Sequence, residues 1–223
     1  MTWIKICGTT NLEDAEAAVE AGANALGFVF YERSLRNIDP AATREIVRRL
    51  PATVDKIGVF VDRSVEAIAQ VVANVGLTGV QLHSKNVPAG QAGELDAIKA
   101  HHPGLKAILA CRAQDLEGGI CVSEDTRQRI YAMLVDSGSS TQVGGTGKAF
   151  DWYKAQGMIQ SLSLIMPVII AGGLNPENVG DAMDLFQPYG VDVVSGVEAR
   201  PGKQDPAKVR AFVQAVRRAE KST

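Results

Sequence analysis

Cys7 closes the short apolar stretch WIKIC (3–7) and is followed at once by Gly8. Asp136 closes YAMLVD (131–136) and opens onto SGSSTQVGGTG. A thiol at the end of a strand, beside a loop, can act as a reagent; a buried one can equally be a small hydrophobe in the core. A carboxylate placed after AMLV costs desolvation unless it has a partner or a task, although Asp also caps helices and forms turns. Groups that hold anions accompany these two. Arg33 and Arg36 lie in YERSLR, and either guanidinium can grip a carboxylate through two parallel bonds. His83 ends GVQLH and can titrate or line a pocket. Gly172 and Gly173 in AGGL, and Ser195 and Gly196 in SGVE, can bring backbone N–H groups up to a phosphate. Each also has a plain reading, as a solvated loop arginine, a structural histidine or a tight turn.

What would bring these residues together is an alternation of elements. Short apolar runs occur at 3–7, 25–30, 56–61, 79–83, 106–110, 131–136, 167–172 and 191–196. They are rich in Val, Ile and Leu without strict alternation, as expected of strands buried on both faces. Between them lie stretches with apolar residues at helical spacing. NLEDAEAAVEAG follows the first run, and a helix is expected over about 40–50. SVEAIAQVVANVG has Ser64 as its N-cap, and Glu66 places a charge in its first turn, where the helix dipole favours it. Helices are also expected around 90–101, near 123–130, and from about Phe150. Asn175, with Pro176 behind it, is expected to cap another, and Asp205 with Pro206 to cap the last.

Right-handed crossovers make such a chain a parallel sheet. Eight complete units with no domain-sized insertion predict a single-domain α/β fold, a (β/α)8 TIM barrel spanning 1–223 with a frayed tail from about 220. A doubly wound sheet would want a glycine-rich turn after the first strand, and KICGTTN lacks the G-x-G-x-x-G pattern. In a barrel the active site lies at the carboxyl ends of the strands, where the residues named above all fall, together with Asp62, Cys111 and Arg112. Alternation puts Trp3, Lys5 and Cys7 on one face of the first strand and Ile4 and Ile6 on the other. Lys5 then lies one layer beneath Cys7, where an ammonium would favour the thiolate. The segment 137–149, with Gly138, Gly144, Gly145 and Gly147, is long for such a fold and is expected to be a mobile lid or a plain flexible loop. Lys148 reads as a surface charge, and His101 and His102 as exposed near a helix end.

Composition narrows the function classes. The chain has 223 residues, 46% of them hydrophobic, and a net charge of −2, which gives no basic surface for nucleic acid. No apolar run approaches a membrane span, and the N-terminus lacks the pattern of a signal peptide. Three cysteines, Cys7, Cys111 and Cys121, lack both disulfide pairing logic and zinc spacing. A cytoplasmic protein with reduced thiols is expected.

KICG, GFVFYERSLR, GVQLH, LVDS with GGTGKAFDW, PVIIAGGLNPENV and VDVVSGVEARPGKQD together resemble the phosphoribosylanthranilate isomerase family of tryptophan biosynthesis. The likeness runs in order from residue 3 to about 212. It implies an Amadori rearrangement of a phosphoribosylamine, with Cys7 as general base and Asp136, kept protonated by apolar surroundings, as general acid. It assigns the substrate carboxylate to Arg36, and the phosphate to the turns at Gly172, Gly173, Ser195 and Gly196. No metal or organic cofactor is implied. The partner is a small phosphorylated molecule, with no nucleic acid and no membrane, and the assembly a monomer or homodimer. The sequence departs from the family in three places: Leu35 stands where proline is usual, Ser84 where glycine is, and Val194 where a serine is. The segment 111–125 fits poorly, and Cys111 and Cys121 receive no role. The related histidine-pathway isomerase uses a carboxylate at the first strand, so Cys7 argues against it. Retention of both Cys7 and Asp136 argues against a catalytically silent phosphate-binding barrel.

Overall fold

Side-chain alternation along short parallel strands decides what this protein carries inside. The computed structural model describes residues 1–83, 92–100, 102–116, 123–136 and 152–221. Eight strands close into a barrel in chain order. They are β1 (Trp3–Cys7), β2 (Ala25–Val29), β3 (Asp55–Val61), β4 (Gly79–His83), β5 (Lys106–Arg112), β6 (Ala132–Asp136), β7 (Val168–Ile170) and β8 (Gly190–Val193). Each pairs in parallel with its neighbours, and β8 returns to β1.

The strands alternate with helices α1 (Leu12–Ala21), α2 (Pro40–Val47), α3 (Val65–Val75), α4 (Ala92–Ala100), α5 (Glu124–Arg127), α6 (Trp152–Ser163), α7 (Val179–Phe186) and α8 (Pro206–Ala219). Local chemistry starts and stops them. Asn11 accepts from the Asp14 N–H, Ser64 from that of Ala67, and Asp205 from those of Ala207 and Lys208. Gly22 and Gly76, in left-handed conformation, end α1 and α3.

The expected elements are present, with shifted edges. β5 continues to Arg112, and α5 is one turn long. Asn175 accepts from the N–H groups of Glu177 and Asn178, but in a turn that precedes α7. The side chain of Asn178 bonds back to the Gly173 carbonyl and the Asn175 N–H, and this local bonding delays the start of the helix. A short antiparallel hairpin, β9 (Glu198–Arg200) and β10 (Lys203–Gln204), lies between β8 and α8 and was not expected. Glu220, just past α8, accepts from the Thr2 N–H and the Arg217 guanidinium, and residues 222–223 of the expected tail lie outside the described residues.

Two cores follow from the alternation. Ile4, Ile6, Leu26, Phe28, Met133 and Val135 face outward and pack with helix residues such as Ala18, Val72 and Phe212. Inside, Trp3, Ile57, Ile108, Leu134 and Ile169 form an apolar plug. Toward the amino end Asp55 accepts from the Trp3 indole (3.2 Å) and the Lys106 ammonium (2.6 Å). Lys5, Gln81 and Asp192 form a buried polar group within the barrel. Cys7, His83 and Asp136 stand at the carboxyl ends.

Gly27, opposite Cys7 in register, provides the room. A Cβ at Gly27 would lie 2.5 Å from Cys7 Sγ and 2.9 Å from Lys5 Cε. Gly27→Ala is therefore expected to destabilise the protein by about 1–3 kcal/mol through overpacking. Gly157→Ala, on the exposed face of α6 with nothing within 4 Å, should stabilise it by about 0.5–1 kcal/mol. Urea unfolding of both variants checks this; a Gly27→Ala midpoint equal to wild type would show that the strand pair has slack.

Candidate active site

The carboxyl end of the barrel opens into a concave cavity, the kind of site that takes a small organic ligand. Cys7, His83 and Asp136 line it, from β1, β4 and β6. Gly8 explains how Cys7 is presented. Its φ of +78° turns the chain in a way most residues resist, and a Cβ there would strike Arg36 Cδ at 2.9 Å. One glycine thus releases the strand and admits the arginine.

Arg36 is held before any ligand arrives. Its Nε and Nη2 donate to the two oxygens of the buried Glu198 at 2.8 and 2.7 Å. The Gly202 N–H donates to the same carboxylate at 2.9 Å. Hydrogen bonding to Glu198 raises the Arg36 pKa further, so the guanidinium stays charged. A guanidinium has two edges that can each bind a carboxylate. Glu198 takes the Nε/Nη2 edge; among the described residues no side chain bonds the Nη1 side, which can grip a second planar anion.

Beneath the mouth, hydrogen bonds run in one direction. Lys5 Nζ, fully buried, donates to Gln81 Oε1 (2.7 Å) and Asp192 Oδ1 (2.9 Å). An ammonium only donates, so the Gln81 oxygen must be the atom facing it. The Gln81 amide nitrogen then donates to His83 Nε2, 2.8 Å away. This requires a neutral His83 carrying its proton on Nδ1. Burial, opposed by the nearby Asp136 and aided by Lys5, lowers the His83 pKa to about 4, which agrees with the neutral ring.

The turns after β7 and β8 form the other wall. Gly172 and Gly173 both have left-handed backbone, at φ +87° and +70°, and line the cavity beside Ser195. Gly196 does not line it. A Cβ there would meet the Leu174 carbonyl oxygen at 2.0 Å, so this glycine lets the two turns touch.

The model of the family described as N-(5'phosphoribosyl)anthranilate (PRA) isomerase matches residues 4–215. The chain belongs to this isomerase family. An N-(5'-phosphoribosyl)anthranilate isomerase from Desulforudis audaxviator is 42% identical over 221 residues, covering 98% of this chain and 100% of that protein. One from Pelobacter propionicus is 41% identical over 214 residues, covering 96% and 95%. The crystal structure of phosphoribosyl anthranilate isomerase from Thermotoga maritima superposes with a TM-score of 0.80 at 37% identity, covering 97% of this chain and 99% of that one. A further structure of phosphoribosyl anthranilate isomerase, in complex with reduced 1-(o-carboxyphenylamino)-1-deoxyribulose 5-phosphate, superposes at 0.77 with 35% identity and coverage of 97% and 99%.

Within this isomerase fold, Cys7, Arg36, His83, Asp136, Gly172, Gly173 and Ser195 share one cavity. Other expected residues lie elsewhere. Cys111 faces the helices, and burial pushes its thiol up to about 12. Arg112 pairs with Asp115 at the surface. Arg33 is exposed, and neither it nor Asp62 lines the cavity. His101, Ser84, Cys121, Lys148 and the glycine-bearing segment 137–149 lie outside the described residues. Among the described residues, no group of three or more His, Cys, Asp or Glu side chains could hold a metal ion, and no helix is long and apolar enough to cross a membrane.

Sequence reasoning missed Gln81, Asp192 and Glu198. Alternation from His83 places Gln81 inside the barrel, and the same pattern on β8 places Asp192 there. Glu198 lies in the quoted SGVE, but only the fold brings it to Arg36. Lys5 favours the Cys7 thiolate, as alternation on β1 suggested, but burial outweighs that pull and pushes the thiol up, and Asp192 pushes it further up.

The neutral His83 has a consequence for stability. Its pKa in the fold, about 4, lies below the ordinary 6.5, so the unfolded chain binds the proton more readily between these values. Stability present above pH 6.5 is lost as pH falls through about 4. Wild type is expected to lose on the order of 1–2 kcal/mol more over this window than His83→Gln. Chemical denaturation at several pH values measures it; parallel pH curves for the two proteins would exclude a buried neutral imidazole.

Proposed function

We infer that the protein converts N-(5-phosphoribosyl)anthranilate to 1-(2-carboxyphenylamino)-1-deoxyribulose 5-phosphate in tryptophan biosynthesis, and we propose that Cys7 and Asp136 are its base and acid. The observation that carries the assignment is that Cys7 and Asp136 line one cavity together with Arg36 and the glycine turns. The complex of a family member with the reduced product supports a ligand carrying both carboxylate and phosphate.

The sequence of steps follows from the groups present. Asp136 donates a proton to the furanose ring oxygen, the bond from that oxygen to the anomeric carbon breaks, and the nitrogen lone pair forms an iminium. The iminium acidifies the proton on the second sugar carbon. The Cys7 thiolate removes it, and the electron pair left behind gives an enolamine. Tautomerisation of the enolamine then places a proton on the first carbon and leaves a ketone at the second. No net oxidation occurs, so the reaction asks for proton transfer and positioning. The free edge of the Arg36 guanidinium takes the anthranilate carboxylate. Backbone N–H groups at Gly172, Gly173 and Ser195 take the phosphate, and Gly196 closes the turn that presents them. His83 presents Nδ1–H to the substrate.

A reducing compartment suits a reaction that depends on a free thiol, and Cys7 and Cys111 are both free. We place it in the cytoplasm, carried out by a monomer or homodimer.

Anthranilate fluorescence reports turnover directly. Cys7→Ser should lower kcat roughly 10²-fold or more while affinity for the reduced product changes little. Arg36→Ala should instead raise KM by about 10- to 100-fold, the worth of a charge-assisted pair. Near-normal turnover by Cys7→Ser would sink the base assignment, and an unchanged KM in Arg36→Ala would move the carboxylate elsewhere.

A further inference from the structure

How a buried thiol becomes a base is left open by the site itself, and the groups around Cys7 supply an answer. Lys5 is wholly sealed from solvent on the same inward face of β1. Its ammonium has three N–H groups. Gln81 and Asp192 accept from it at 2.7 and 2.9 Å, and its charge acts on the neighbouring Cys7 thiol. Gly27 leaves the space in which Cys7 Sγ and Lys5 Cε lie side by side. Asp192, on the neighbouring β8, is almost as buried and lines the cavity with Cys7.

We propose that Lys5 and Asp192 are positioning residues that set the ionisation of Cys7 in opposite directions, because thiolate and carboxylate compete for one sealed ammonium. This rests on Cys7 being the base. With Asp192 ionised the cation is already neutralised, and a thiolate beside it adds a second anion to a dry site. With Asp192 neutral, the same ammonium is the thiolate's own counter-ion. The proton balance follows: the thiol proton need not leave the protein if Asp192 takes it while Lys5 remains cationic. Cys7 and Asp192 then share a single negative charge, and the Lys5 ammonium balances it, so the cluster is neutral as a whole.

The other groups facing this cluster are accounted for. The Gly8 N–H follows Cys7 and favours the thiolate. Arg36 approaches from the segment after β2 with its charge matched by Glu198. His83 on β4 is neutral near pH 7, and Asp136 on β6 adds a carboxyl across the cavity. Burial pushes Cys7 and Asp192 up, and Lys5 pulls both down.

The test reads Cys7 without turnover. The folded protein is alkylated with iodoacetamide across pH, and modification of Cys7 is followed by peptide mass spectrometry, which separates it from Cys111 and Cys121. Asp192→Asn keeps the shape and removes the competing charge. Its alkylation midpoint should fall by about one pH unit or more, a tenfold change in the ionisation equilibrium. The acid limb of kcat/KM should move the same way. Adding Lys5→Met to Asp192→Asn removes the counter-ion without stranding a carboxylate and should return the midpoint to wild type or above. The proposal is overturned if Asp192→Asn leaves the midpoint in place or raises it, or if the double variant matches the single one. Should the double variant fail to fold, the sign of the Asp192→Asn shift decides alone. Failure of the base assignment appears separately, as turnover that survives Cys7→Ser.

Discussion

An ammonium with no access to water must be given partners by the fold, and much of this protein's interior follows from that demand. Lys5 lies inside a parallel barrel, where the strands use their backbone groups on one another. Side chains from other strands must therefore supply its acceptors. Gln81 comes from β4 and Asp192 from β8, across the barrel and at its closing seam. Because an ammonium cannot accept, it fixes the orientation of the Gln81 amide. The amide in turn fixes the tautomer of His83. A single charge therefore orders a polar chain reaching the ligand cavity. Such a buried pair is weak grounds for stability. Its value is that it gives the mouth of the barrel one arrangement of donors and acceptors.

Most of the fold was legible because each strand and helix declares itself locally. Ser64 and Asp205 cap the helices that their side-chain chemistry announces. The inward face of β1 was readable from alternation alone, since Ile4 and Ile6 belong to the helix-side core and Trp3 to the barrel interior. The errors lie where local bonding competes. Asn178 bonds backward and delays α7, and the residues after β8 pair as a hairpin. Neither carries a strong periodic signal.

The site was legible in its reactive groups and illegible in its supports. Cys7, Asp136 and Arg36 stand out because such residues are conspicuous at strand ends. Glu198 does not, because its partner lies 162 positions earlier in the chain and no spacing rule joins them. Gly196 was read as a phosphate contact, whereas its missing Cβ makes room for the Leu174 carbonyl. The ionisation of Cys7 was legible only in part, for a related reason. Lys5 was visible in the sequence, while the burial and the Asp192 charge that oppose it belong to the assembled barrel.

The seam between β1 and β8 joins the beginning of the chain to its end. Cys7 lies in the first strand, Asp192 in the last barrel strand, and Glu198 beyond it. Gln204 of the hairpin reaches back, its side-chain amide toward the Cys7 carbonyl and its backbone N–H to Asp14. During synthesis the thiol therefore emerges about two hundred residues before the groups that finish its surroundings. A ribosome-bound chain with seven strands made has an open edge where β8 belongs, and no completed pocket. Barrel closure thus waits on β8, and the same step brings Asp192 and Ser195 to the cavity.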